Sequence, residues 1–333
     1  MNTKELNEFF YNGAAIVGQI KEEVQHTDTV KELKRLIAEK EVFVVKITGM
    51  RPEDDVVTAK VLDGYMGLIP KAQVSSRMYI RNKMSDLLIG QNVPVIVERF
   101  NEADKTVALS RVHAIKELSK NFLNEILPVL DEINENGVNY KQYTSKFEEG
   151  NDPYFDKYPR VKAKVIDYDK KGKRVLVNIA GLDLIGTMDI SKFDYKYIYN
   201  PEKFLEEYMK PNRVIEVALL MYYDNSGQGK PSNFVVSRRH ALTNPWTGIE
   251  KKIRKDDIIV VTALEKKDSH FFGAYDNFPL DIKCYYPEIP DKQIMDDEKY
   301  GRRLVTPGKE YKVKVEKVNP TTKLLTASFL GEL

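Results

Sequence analysis

One order of short segments is written three times along this chain, and that recurrence limits the fold more than any single motif. The first copy runs EVFVVKITGM, a turn RPE, DDVVTAKVL, GYMGLIPKAQVS, the corner IGQN and the pair of runs VPVIVERFNEADKTVALSR. The second runs RVKAKVIDYD, KRVLVNIAG, LIGTMDISKF, the corner KPNR and RVIEVALLMYYDNSGQGKPSNFVVSR. The third runs DIIVVTALE, HFFGAY, LDIKCYYPEI, the corner TPGK and EYKVKVEKVNPTTKLLTASF. Apolar residues recur with a spacing of two, and Asn, Asp, Gly and Pro fill the turns, so the runs are antiparallel strands and hairpins. Five short strands per copy leave open edges unless each set rolls into a small closed barrel. A mainly β chain is expected, with barrels over 42–112, 160–240 and 241–333, a helical segment over 1–41 and a helical linker over 113–159.

The stretches between barrels have helical period. Residues 3–24 carry Phe9, Phe10 and Tyr11 as a large apolar patch for the first barrel or a partner. In residues 28–40, Val30, Leu33, Leu36 and Ile37 form one stripe, with Thr27 or Asp28 placed to cap it. Over 114–135, Leu118, Phe122, Ile126 and Leu130 or Ile133 recur at helical spacing, and Pro128 predicts a kink or break. YKQYTSKFEEGNDPYFDKYP, which follows, fits a structured linker or a partner-binding strap.

Composition bounds the function. Hydrophobic residues are 42% and charged residues 31%, as in folded soluble domains. Net charge is only +2, from 52 basic and 50 acidic side chains, but residues 160–240 hold 15 basic against 10 acidic and carry a positive field. No apolar run approaches membrane-spanning length, so no membrane partner is expected. The acids among the first residues disfavour a secretory signal. A single cysteine, Cys284, cannot form an internal disulfide and suits a reducing interior, so a cytoplasmic location is expected, with a virus particle as the other setting.

ALSRVHA at 108–114 and VVSRRHA at 235–241 are near copies. They fall where each barrel closes, so the serines terminate or cap a strand, and His113 and His240 are surface or capping residues rather than a reactive pair. The four histidines, at 26, 113, 240 and 270, are scattered, and no phosphate-binding, zinc-protease or nucleophile-elbow motif is present. Asp54 with Asp55, and Asp296 with Asp297, read as solvated turn acids. The sequence therefore predicts no enzyme, no cofactor and no metal.

GLIPKAQVS at 67–75 and IGQNVPVIVERFNEADKTVALSR at 89–111, with the strand pair before them, resemble the S1 RNA-binding domain, a member of the OB-fold class. IGTMDISKF and FVVSRR make the second copy similar; the third resembles it in the order of its elements. The resemblance implies tandem OB-fold barrels that bind RNA or other single-stranded nucleic acid, with aromatic residues on the second and third strands and often a histidine after the glycine–apolar pair. The first copy departs at Thr58 and Pro70, the second at Val177 and Asp189. The third keeps aromatics: Phe271 and Tyr275 on one strand face, Phe272 on the other, and Tyr285 near the histidine position beside Tyr286. Lysines interrupt the apolar strands at Lys46, Lys60, Lys162, Lys164, Lys312 and Lys314. With Arg111, Arg238 and Arg239 near the closing strands, they suit phosphate contacts. The expected interface is thus these nine cations with Phe271, Tyr275 and Tyr285. The competing expectation is a structural or protein-interaction subunit of a ribosome-associated, transcription-associated or viral assembly, partnered through the helical segments.

Overall fold

The structure, a computed structural model, describes residues 29–62, 64–76, 88–136, 156–210, 213–225, 232–276, 278–287, 304–320 and 323–333. The first helix expected over 3–24, the caps at Thr27 and Asp28, the acid pair at 296–297 and the segment 138–155 lie outside them.

Three closed five-stranded barrels follow one another, and each repeats one topology. In the first, β1 (Phe43–Arg51), β2 (Val56–Lys60) and β3 (Met66–Pro70) form a meander, and β4 (Asn92–Asn101) and β5 (Thr106–Ser110) form a hairpin. β5 pairs in parallel with β3, and β4 closes onto β1. β6 (Arg160–Asp169), β7 (Arg174–Ile179), β8 (Leu184–Asp189), β9 (Ile215–Tyr223) and β10 (Asn233–Ser237) repeat this, as do β11 (Ile258–Lys266), β12 (His270–Ala274), β13 (Asp281–Tyr285), β14 (Glu310–Asn319) and β15 (Leu324–Glu332). The strand order is that of the OB fold. The first strand of each barrel must pair with two neighbours that diverge. Each carries a register shift there, at Ile47/Gly49, Val165/Asp167 and Ala263/Glu265. A bulge at that point bends and twists the strand so that it serves both partners.

The barrel interior is narrow. A Cβ on Gly67 would lie 2.6 Å from Leu109 Cδ1 and 2.7 Å from Val61 Cγ2, and one on Gly186 would lie 2.8 Å from Val177 Cγ2. In barrel 3 the glycine moves to the second strand, where Gly273 faces Val261 and pairs with Ile282. Glycine here makes room for large residues on the opposite wall.

Among the described residues, one compact unit holds residues 29–136, 156–189 and 202–241, and the other holds 190–201 and 242–333. In the first unit, α1 (Thr29–Glu39) buries Leu33 and Leu36 in the barrel 1 core. α2 (Arg111–Asn136) begins directly after β5 and buries Ile115, Leu118, Phe122, Ile126, Leu130 and Ile133. Of the kink or break expected at Pro128, the break does not occur: α2 continues through it. Buried Ile126 and Leu130 on either side hold the helix to its packing surface across the missing N–H. α3 (Pro201–Met209), anchored by buried Leu205, precedes β9.

The repeated serines do cap. Ser110 Oγ accepts the His113 N–H at 3.2 Å and donates to Gln73 Oε1 at 2.8 Å; Ser237 Oγ accepts the His240 N–H at 3.3 Å. His113 is exposed and meets Glu98, whereas His240 is fully buried, bonded to Ser237 Oγ through Nδ1 at 2.8 Å and set edge-on to Tyr158. One four-residue pattern thus starts a long helix after barrel 1 and a single tight turn, Arg239–Ala241, after barrel 2.

Candidate nucleic-acid interface

The outward face of β12 and β13 gathers the aromatics of barrel 3. Residues directly opposite in an antiparallel pair share a face. His270 opposes Tyr285, Phe272 opposes Lys283, and Ala274 opposes Asp281, and these six point away from the core. Phe271, Gly273, Ile282 and Cys284 point inward and are buried. One expected contact, Phe271, is therefore corrected, and a second, Tyr275, is half-buried. Phe271 is a core residue, with ring centroids 5.9 Å from Tyr311, 6.0 Å from Tyr286 and 6.2 Å from Phe329. Tyr275 lies past the end of β12 and packs on the core beside Phe278. Phe272 takes the surface position instead, and Tyr285, 40% exposed, is on that face as expected.

Residues 190–201 add rings that sequence reasoning passed over. Tyr197, 55% exposed, lies nearly parallel to Phe272, with 5.9 Å between centroids and 6° between planes. Tyr199 contacts both rings. The segment is pinned by Asp281: its Oδ2 accepts the Tyr197 backbone N–H at 2.8 Å and the Tyr199 hydroxyl at 3.4 Å. Burial raises the Asp281 carboxyl above its usual range, and burial with the nearby Asp281 and Glu265 carboxylates pushes the Tyr199 hydroxyl far up. Burial, with Lys283 and Lys267 beside it, lowers His270, so it is a neutral ring at pH 7. Lys283 Nζ stands 4.9 Å from the Tyr285 ring centroid. The face thus offers Tyr197, Phe272 and Tyr285 as stacking surfaces and Lys283 as a cation among them.

The expected cations divide. Lys46 and Lys60 are exposed and directly opposite on β1 and β2. Like charges in that register repel, and a phosphate between them would relieve the repulsion. Lys312 is exposed on β14, and Lys314 is tied to Asp256 at 2.7 Å, which raises its ammonium. Lys162 is half-buried opposite Glu216. Lys164, expected on a solvated face, is 6% exposed, and burial lowers its ammonium to about 8. It sits among buried residues at a point where the strand bends and both sides are covered, so it is corrected to an interior residue.

Arg111 is corrected too. Its side chain is 2% exposed and forks onto Asp183, at 2.8 and 2.9 Å, while donating to the Val74 carbonyl at 2.6 Å and the Gly181 carbonyl at 2.7 Å. It joins barrel 1 to barrel 2 and has no surface to offer a phosphate. Arg238 and Arg239 are half-buried at the closing end of barrel 2, where the Arg238 guanidinium carbon stands 5.4 Å from the Tyr208 ring centroid. The aromatic positions assigned near Thr58 and Val177 hold no rings: Thr58 bonds Thr48 through its hydroxyl, and Val177 is fully buried.

Among the described residues no group of three or more His, Cys, Asp and Glu is placed to hold a metal ion, and no helix is long and apolar enough to cross a membrane.

No family model and no curated protein matches the chain. Among solved structures it is similar to GSP13 from Bacillus subtilis, at 21% identity over 22% of this chain and 53% of that one, with a TM-score of 0.19. The chain thus spans about half the length of that protein. A vaccinia virus protein (Wisconsin strain) matches at 23% identity over 24% of this chain and 90% of that one, with a TM-score of 0.19. A Streptococcus pneumoniae multidomain protein with nucleic acid binding domains matches at 9% identity over 87% of this chain and 73% of that one, with a TM-score of 0.16. Likeness at this level leaves the three OB-like barrels to stand on their own strand order.

Proposed function

We propose that this protein binds single-stranded nucleic acid, RNA in the first instance, through the β12–β13 face of barrel 3, without catalysing a reaction on it. The observation that carries this reading is the cluster of Phe272, Tyr197 and Tyr285 around Lys283 on an outward strand face. Every base has a flat π-face, so aromatic rings hold a single strand with little regard to sequence, at about 1–3 kcal/mol per stacked base. Lys283 supplies a phosphate contact on this face, and the opposed Lys46 and Lys60 offer a separate one on barrel 1. The resemblance of the repeats to S1-like domains supports RNA over DNA as the strand.

The test is fluorescence titration of the full chain with a labelled oligouridine, wild type against Phe272→Ala/Tyr285→Ala. The reading expects affinity to fall by roughly 30-fold or more, at least about 2 kcal/mol for two lost stacks, in a double variant that stays folded. No wild-type binding in low salt rejects the reading. A protein-interaction role is the second reading, favoured by Ile258, 66% exposed, and Val260, 36% exposed, on the outer face of β11.

A further inference from the structure

We infer that barrel 2 carries a separate phosphodiester site at its closing end, built from Arg213, Tyr208 and Arg238. The inference rests on the nucleic-acid reading above but uses none of its residues. Tyr208 closes the last turn of α3, one turn after Phe204, and the two rings are 5.1 Å apart. Two guanidinium groups share the Tyr208 ring: the central carbons of Arg213 and Arg238 each stand 5.4 Å from its centroid. Arg213 enters β9 and Arg238 leaves β10, so the barrel's own closure brings them together from opposite ends of one hairpin.

Arginines held this way are suited to phosphate. A guanidinium can fork onto two phosphate oxygens, and two that share one aromatic ring bring two such forks to one place. The backbone beneath Arg238 is fixed: its carbonyl accepts the Ala241 N–H at 2.9 Å, and buried His240 anchors the turn through Ser237. Arg239 begins the same turn, and Arg160 sits across β9 at the level of Ser237, since both oppose Ala218. Glu207 pairs with Lys210 at 2.5 Å and is lowered further by Arg213, and Asp156 pairs with Arg160 at 3.3 Å. Residues 160–240 hold 15 basic against 10 acidic side chains, and Arg160, Arg213, Arg238 and Arg239 are four of their five arginines. Guanidiniums that grip backbone phosphate rather than base edges take single strands with little regard to sequence.

The experiment titrates the full chain with labelled oligouridine and oligoadenosine across a salt series, comparing wild type, Arg213→Gln/Arg238→Gln and Arg213→Lys/Arg238→Lys. Each phosphate contact on a single strand contributes roughly 0.7 to the slope of log affinity against log salt. The Gln pair is expected to flatten the slope by about 1.4 and to weaken both oligonucleotides equally, while the Lys pair, which keeps the charge, holds the slope. If the Gln pair melts early, Arg213→Gln alone decides, since Arg213 is exposed: a slope flatter by about 0.7 supports the site. An unchanged slope in the folded Gln pair or in folded Arg213→Gln overturns the inference. So does equal competition by polyglutamate, which would mark an acidic protein surface as the ligand. Loss of binding in Phe272→Ala/Tyr285→Ala with an unchanged Arg variant sinks the barrel 2 site and leaves the barrel 3 reading standing; failure of wild type to bind at all sinks both.

Discussion

Removing Arg111 should cost the unit that holds barrels 1 and 2 several kcal/mol of stability. The side chain lies at the joint of barrels 1 and 2, 2% exposed, with four hydrogen bonds to Asp183, Val74 and Gly181. In Arg111→Met the Asp183 carboxylate stays buried without its counter-charge, and two carbonyls lose a donor. Breaking a buried pair from one side costs about 3–5 kcal/mol. Replacing both partners, as Arg111→Met/Asp183→Leu, removes the stranded charge and should recover much of that loss, since an apolar pair is often neutral relative to the ion pair it replaces. Asp183 has a φ of 57°, and Asp tolerates the left-handed region better than Leu does, so the recovery is incomplete. The assay is urea unfolding of the full chain followed by far-UV circular dichroism and by the fluorescence of its one tryptophan, Trp246, which packs on the barrel 3 core. With a slope of about 2 kcal/mol per molar urea, a 4 kcal/mol loss moves the midpoint of the unit holding Arg111 by about 2 M. The Trp246 transition serves as the internal reference for barrel 3. If Arg111→Met shifts the dichroism midpoint by less than about 0.5 M, the joint does not hold the unit together and the reasoning fails.

Other outcomes follow from the same packing. Gly67→Ala puts a methyl 2.6 Å from Leu109 Cδ1 and should destabilise by about 1–3 kcal/mol, read as a lower urea midpoint. Phe271→Ala should cost about 3–5 kcal/mol as a core truncation, whereas Tyr285→Ala, on the solvent side of the same sheet, should change the melting temperature little. Lys164 titrates near 8 when folded against 10.5 ordinarily, so between those values the unfolded chain holds more protons and this residue's contribution to stability rises with pH. Relative to Lys164→Met, the wild type should be least favoured below pH 8 and should gain steadily up to about pH 10.5; parallel stability curves would show that Lys164 titrates normally.

The barrels were legible in the sequence because each strand alternates and each turn is marked, and because the pattern recurs. The phase of the alternation was harder. HFFGAY contains two adjacent phenylalanines, and a period of two does not say which one faces water. The neighbouring strand held the answer: Ile282 and Cys284 alternate with Asp281, Lys283 and Tyr285, and the register of Phe271 with Cys284 turns Phe271 inward. Lys164 reads as a surface lysine because alternation assumes a strand with one wet side, and β6 is covered around the bulge at Val165/Asp167. Arg111 sits beside a serine that caps as expected, yet its partner Asp183 lies 72 residues further on, beyond any local pattern. Tyr197 and Tyr199 fall in a stretch with no strand or long helix, where sequence period carries no information.

The placement of residues 190–201 has a consequence for how this chain can be taken apart. They belong to the unit of barrel 3, though the chain runs through barrel 2 on both sides of them. A fragment cut at Leu242 would look like a complete third repeat, with all five strands from β11 to β15. It would nonetheless have lost the Tyr197 ring from Phe272 and both donors from Asp281. Binding measured on such a fragment would report a surface that the intact protein never presents, so a negative result there would speak to the cut and not to the protein.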